Sequence, residues 1–240
     1  MPHCLFTLLC SINQQAMEQL PNYIPILFVL CTIFTVFMLY KASAHSKVVI
    51  ILLIAWLALQ GIVSLNGFYT HTAVVPPRFG LLLIPPVIFI VILFLIKKGR
   101  ATIDGFDPRL LTLLHIVRIP VELGLYSLYL HKVVPQLITF EGRNFDILCG
   151  LTAPLVYYWG YVKNVLGKKI IIAWNTLCLL LLANVVVMAV LSAPFPFQRF
   201  GFGQPNIAML YFPFVWLPCC IVPAALFAHL VAIRRLVKGD

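Results

Sequence analysis

LLTLLHIVRIPVELGLYSLYL, residues 110–130, is long and apolar enough to cross a bilayer, yet it carries His115, Arg118 and Glu122 in its interior. A spanning helix needs about 20 mostly apolar residues. At 100° per residue, Thr112, His115, Arg118, Glu122, Tyr126 and Tyr129 fall within about 120° of arc, and the opposite face is Leu, Ile and Val. Arg118 stands about 13 Å along the axis from Arg109, near the middle of a hydrocarbon core about 30 Å thick, with Glu122 one turn beyond. A charge at that depth costs several kcal/mol unless it is paired or wetted, so the stripe faces the bundle interior or a water-filled cavity. Arg118 and Glu122 have the spacing to pair along the helix. Pro120 between them removes one backbone donor and frees a carbonyl. Two readings stay open: a ligand-binding or proton-relay site, and an internal ion pair that fixes helix rotation.

The same apolar pattern continues in both directions. Runs at 22–41, 47–68, 79–97, 146–164, 170–193 and 211–234 join 109–131 to make seven, with short connections. Of 240 residues, 62% are hydrophobic and 10% charged, with mean hydropathy +1.02. A soluble domain carries roughly 25% charged residues. The expected fold is therefore all-α, a polytopic membrane bundle of seven transmembrane helices forming one domain over 21–240. Residues 1–20 are too short to span and lack a basic n-region. They are expected to be an interfacial segment or an upstream extension with Met17 as the start, rather than a cleaved signal peptide.

Net charge is +10, but the basic residues sit at the ends of the runs, so they report topology and not nucleic-acid binding. Twelve of the 17 Lys and Arg residues lie in the 41–47, 97–109 and 163–169 connections and at the C-terminus. Four lie at the opposite end, Arg78, Lys132, Arg143 and Arg199, and Arg118 lies within a run. This bias places the C-terminus in the cytoplasm and the N-terminus outside.

Runs 1–3 and 5–7 share landmarks. Lys47 opens run 2 and Arg78-Phe79-Gly80 follows 31 residues later; Lys169 opens run 6 and Arg199-Phe200-Gly201 follows after 30. Prolines precede both motifs (Pro76 and Pro77, Pro194 and Pro196) and interrupt the runs that follow. A parallel 3+1+3 repeat with run 4 as linker accounts for this; so does coincidence among proline-rich outer turns. In some transporters such repeats hold substrate at their interface.

Other candidates weigh less. Arg78, Arg143 and Arg199 stand beside phenylalanines at the outer face. They can form the mouth of a path for an anionic ligand, or anchor the chain at lipid headgroups. In the 139–146 connection, Gly142 suits a turn and Asn144 or Asp146 suits a helix cap. His115 and His229 lie at matched depth, as do His71 and His131. The plainer account is hydrogen bonding within the bundle or at its interface, rather than paired haem or metal ligands. Gln60, Asn66, Asn175, Thr176 and Asn184 can line a shared cavity or join helices. Seven cysteines, with no CxxC, read as small apolar residues. Run 7 holds no lysine, which excludes a rhodopsin-type Schiff base. There is no nucleotide-binding glycine motif, HExxH or GxSxG.

LLHIVRIPVE (113–122), TFEGRNFDILCGLTAP (139–154), LSAPFPFQRF (191–200) and FPFVWLPCCIVP (212–223) resemble a family of bacterial seven-span inner-membrane proteins of unassigned function. The likeness extends from about Glu18 onward. It implies a bacterial cytoplasmic membrane and no cofactor, and supplies no catalytic residues.

The expectation is an integral membrane protein that binds or transports a small molecule, with anions among the candidates, against the polar face of run 4. Arg118, Glu122, His115, Tyr126 and Tyr129 would form the ligand-binding or ion-pair set, with no metal. Its partners would be the lipid bilayer and that small molecule, with no nucleic acid. The alternatives are an intramembrane enzyme acting on a lipid or quinone through His115, Arg118, Glu122 and Tyr126 or Tyr129, and a non-catalytic scaffold. For the enzyme, His115 and Glu122 lie about 10 Å apart along the axis, long for direct cooperation.

Overall fold

The structure, a computed structural model, describes residues 15–72, 74 and 76–238. Cys4, Cys10 and most of the N-terminal segment lie outside the described residues. The helices are α1 Tyr23–Ala42, α2 Lys47–Leu65, α3 Gly80–Leu95, α4 Lys97–Asp104, α5 Pro108–Leu130, α6 Ile147–Val162, α7 Lys168–Leu191 and α8 Leu217–Lys238, with no strand among the described residues. Five of them (α1, α2, α5, α7 and α8) are long and apolar enough to cross a membrane. α3 and α4 make a sixth if read as one span with a 96° bend, and α6 is shorter. The chain is a helical multi-pass membrane protein.

Outward faces are apolar. On α1, Tyr23, Ile26, Leu30, Ile33 and Phe37 recur at helical spacing and are exposed, while Ile24, Phe28, Cys31, Thr35 and Met38 are buried. α8 and α5 bury the largest shares of their apolar windows, 67% and 56% against 22% for α2, so they form the centre. Gly150 brings α6 against α5 so closely that a Cβ would lie 2.9 Å from Ile119 Cγ1 and 3.2 Å from the His115 carbonyl. That approach sets the start of α6 beside the polar stripe.

Two run boundaries differ from the sequence reading. The third run stops at Leu95, where Ile96 turns extended and Lys97, Lys98 and Arg100 begin the amphipathic α4. Charged residues turn away from hydrocarbon. The corner also needs glycine, since a Cβ at Gly99 would strike the Leu93 backbone. The last helix starts at Leu217 rather than 211 and continues to Lys238; Pro213 interrupts the segment before it, and Pro218 falls in the first turn, where its missing N–H has no helical partner to lose.

Proline also shapes the central helices. Pro120 cannot donate to the Ile116 carbonyl, and α5 tightens to a 3-10 turn over His115–Val117. Pro154 precedes a π turn over Tyr157–Val162 in α6, and α8 opens with a π turn over Leu217–Ile221. Pro223 has no N–H for the Cys219 carbonyl; the Trp56 indole supplies one at 2.9 Å. The Trp216 indole returns a bond to the Leu57 carbonyl at 3.1 Å, so α2 and α8 are joined twice.

Connections 131–146 and 192–216 close one end of the bundle. Ile138, Ala193, Phe195, Ala208, Met209 and Leu210 are buried there, and the Ile207 and Asn206 N–H groups donate to the Val133 and Ser192 carbonyls. At the other end Asp104 fastens α4 to the end of α8. It accepts from Arg234 Nε (2.8 Å) and Nη2 (3.1 Å) and from Lys238, and its carbonyl accepts from Arg235. Hydrogen bonds from Arg234 and then Lys238 hold the Asp104 carboxyl well below the usual carboxylate range.

Two outcomes follow from these contacts. Trp56→Phe strands the Cys219 carbonyl in a non-aqueous setting and is expected to lower unfolding free energy in mixed micelles by about 1–3 kcal/mol. A change below about 0.5 kcal/mol, the range of inert surface substitutions, would mean that the carbonyl has another donor. The Asp104 carboxyl titrates lower folded than unfolded, so its contribution is present above the ordinary carboxylate range and is lost only as pH falls through the folded value. Hydrogen exchange over 234–238, corrected for its intrinsic pH dependence, should stay constant from about pH 7 to about pH 5 and rise in Asp104→Asn.

Candidate functional site

The stripe on α5 meets four other segments. Arg118 is 3% exposed and Glu122 2%. Arg118 Nη1 donates to Asp146 Oδ1 in a buried ion pair, and Nη2 lies 3.1 Å from His229 Nε2. Asp146 stands at the N-cap position of α6, but its side chain makes no capping bond and turns to Arg118 instead. Its backbone N–H donates to Asn144 Oδ1 at 2.9 Å. Asn144 Nδ2 donates in turn to Glu122 Oε1 (2.6 Å) and to the Ile138 carbonyl (3.0 Å).

Hydrogen bonding also sets the histidine tautomer. Asn175 Nδ2 donates to the Ile171 carbonyl at 2.9 Å, which leaves Asn175 Oδ1 facing His229 Nδ1 at 2.8 Å. An amide oxygen only accepts, so Nδ1 carries the hydrogen and Nε2 accepts from Arg118. The His115 ring stacks on His229, with centroids 3.8 Å apart and planes 12° apart. Trp174 stands edge-on to both, held by its indole bond to Thr152 Oγ1 at 2.9 Å.

Charge accounting singles out Glu122. Arg118 and Asp146 neutralise each other. Glu122 is then the acid left without a charged partner, and its Oε2 is buried with no partner among the described residues. Arg118, Glu122 and Asp146 line a cavity of about 80 Å³ whose other walls are apolar, among them Leu83, Leu125, Leu182 and Val186.

Of the residues the sequence put forward, His115, Arg118 and Glu122 come together here. The carboxylate partner of Arg118 is Asp146 and not Glu122, although Glu122 is one turn away on the same helix. Tyr126 and Tyr129 are half-buried and do not line the cavity; Tyr126 packs 5.0 Å from the Phe140 ring, beside Glu141. Arg78 donates to the Phe68 carbonyl at 3.2 Å and lies 4.3 Å from its ring centroid. Arg143 and Arg199 are exposed, and none of the three arginines lines the cavity. Of the polar residues in α2 and α7, Gln60 accepts from Tyr69, and Asn66 and Thr176 bond the carbonyl four residues back. Asn184 donates to the Arg143 carbonyl at 2.9 Å.

Sequence reasoning missed the inward turn of Asp146, the bridging role of Asn144 and the convergence of His229, Asn175 and Cys149. One usable signal existed. In a chain with seven acidic residues, Asp146 stands beside Asn144 at the opening of an apolar run.

His115, Cys149 and His229 each offer a ligand atom within 4.8 Å of the others. The arrangement does not fit an ion. Imidazole lone pairs lie in the ring planes, and two stacked planes 12° apart direct them nearly parallel instead of towards one point. The Arg118 guanidinium already holds His229 Nε2, with Cys149 Sγ 3.8 Å away. Cys31, Cys149, Cys178, Cys219 and Cys220 are unpaired and buried.

Asn144→Leu removes three hydrogen bonds and orphans Glu122, the Ile138 carbonyl and the Asp146 N–H. It is expected to cost about 1–3 kcal/mol per orphaned group. Asn184→Leu loses one bond at the periphery and should cost less than a third as much in the same detergent-unfolding assay. Equal effects would contradict the bridging role. Comparison of the chain with protein-family models, with curated proteins and with solved structures finds no match.

Proposed function

We propose that the chain is a seven-span protein of a bacterial cytoplasmic (inner) membrane that binds or carries a small molecule in the cavity beside Glu122. Its N-terminus lies outside and its C-terminus in the cytoplasm. The observation that carries this reading is Glu122 Oε2, buried and unpartnered on the cavity wall, next to an Arg118–Asp146 pair that is already neutral. A carboxylate oxygen so placed is costly until it meets a proton or a donor. An ion pair that served only to lock helix rotation would be complete with Arg118 and Asp146 alone.

The same accounting changes the expected ligand. An anion would add negative charge beside Glu122 and Asp146, so the site suits a proton, an uncharged donor or a small cation. The topology rests on the twelve basic residues at one end of the runs against four at the other. The parallel 3+1+3 arrangement belongs to the same proposal and rests on the two Arg-Phe-Gly turns and their spacings of 31 and 30 residues. α5 would be the linker and would carry the site.

Native mass spectrometry of the detergent-purified protein tests the reading. The wild-type protein should retain a small-molecule adduct, and Glu122→Gln should retain it at least about tenfold less while still folding. Val186→Trp, which fills the cavity without touching the polar cluster, should also lose it. An apo mass for wild type, with both variants melting as wild type does, would overturn the proposal.

A further inference from the structure

The Glu122 cavity is shut towards both ends of the bundle. Ile138 and Met209, 1% and 3% exposed, cover it beneath the 131–146 and 192–216 connections. Arg118 and Ala225 of α8, both buried, close the opposite end. The lining residues that remain partly exposed are Leu83 of α3, Val185, Val186, Ala189 and Val190 of α7, and Val222 of α8. Their neighbours Leu81, Ile84 and Val187 are exposed apolar side chains, part of the outward face of the bundle. The opening therefore lies between α3 and α7 and meets hydrocarbon, not water.

We propose that this cavity takes the head of a membrane-dissolved amphiphile, entering sideways between α3 and α7. The ligand is an apolar chain ending in a small hydroxyl or amine that hydrogen-bonds Glu122 Oε2. The proposal rests on the ligand-site reading above and adds to it a chemical class and a route. Three observations carry it. Glu122 Oε2 lacks a partner, and a hydroxyl or amine serves it in either protonation state, donating to a carboxylate and accepting from a carboxyl. A head with a carboxylate or phosphate would add negative charge beside the Glu122 and Asp146 carboxyls, where the Arg118 charge is already met by Asp146 and only its Nε lacks a partner. The cavity of about 80 Å³ is about half the roughly 150 Å³ that holds a benzene ring, so it accommodates a small head but not a whole lipid. The chain must then lie in the seam between α3 and α7, against Leu83 and Val186.

The test uses the full chain in phosphatidylethanolamine–phosphatidylglycerol nanodiscs. Three photoreactive probes share one diazirine position: a hexadecanol analogue, a palmitate analogue and a hexadecane analogue. Peptide mapping should place the alcohol label around Leu83 and Val186 at least about tenfold above the other two. Unlabelled hexadecanol should compete, and Val186→Trp should abolish the seam label without touching Glu122. Glu122→Leu, where it folds, should bring the alcohol down to the alkane level. The inference is overturned if palmitate labels as well as the alcohol, or if all three probes label the outward faces evenly. Failure here can be told from failure of the underlying reading. If native mass spectrometry finds a Glu122-dependent adduct while no probe enters the seam, the site stands and the lipid route falls. If neither binds, water alone occupies the cavity and both fall.

Discussion

Arg118 pairs with Asp146, and most of the interior is arranged around that contact. A guanidinium deep in a helical bundle needs a counter-charge and partners for its remaining donors. Asp146 provides the charge from the start of α6, and His229 takes a second donor from α8. This ties together α5, α6 and α8, and through Asn175 also α7. Losing one member of such a pair costs about 3–5 kcal/mol, because the other is left buried and uncompensated. Gly150 is what allows the pairing, since it lets the opening turn of α6 lie directly on the His115–Ile119 backbone.

With Arg118 spent on Asp146, Glu122 is left over, and the remaining polar groups are organised so that one of its oxygens is held and the other is not. Asn144 holds Oε1 and at the same time fixes the 138–146 turn that seals the cavity from above. The unheld oxygen faces apolar walls. The backbone is treated more generously than Glu122: where Pro223 withholds an N–H, Trp56 reaches from α2 to replace it. Other buried side-chain atoms also lack a partner, among them Asn206 Oδ1 and Ser192 Oγ, but of these only Glu122 Oε2 and Arg118 Nε belong to residues that line the cavity.

The sequence made the class of protein legible because length and hydropathy are local properties. Each of the seven apolar runs forms a helix, and the stripe Thr112–His115–Arg118–Glu122 is buried as its spacing required. What was not legible depends on contacts distant in sequence. Helical spacing offers Glu122 to Arg118 as a neighbour, yet 28 residues on, Asp146 wins because α6 packs end-on against the stripe. Tyr126 and Tyr129 share the stripe's arc but lie past the point where the 131–146 connection folds over α5, so they pack on Phe140 and miss the cavity. Arg78 rests on the Phe68 ring and Arg143 and Arg199 are exposed, placements that no spacing rule relates to Arg118.

The central claim is that the charge of Arg118 is spent on Asp146 and not on Glu122. A pair of double-mutant cycles measures this directly, one between Arg118→Met and Asp146→Leu, the other between Arg118→Met and Glu122→Leu, read by reversible unfolding in mixed micelles. The account predicts a strong coupling in the first cycle, with the Arg118–Asp146 double variant more stable than either single one, and a clearly smaller coupling in the second. A dominant coupling between Arg118 and Glu122 would contradict it, and would return the stripe to a closed ion pair within one helix.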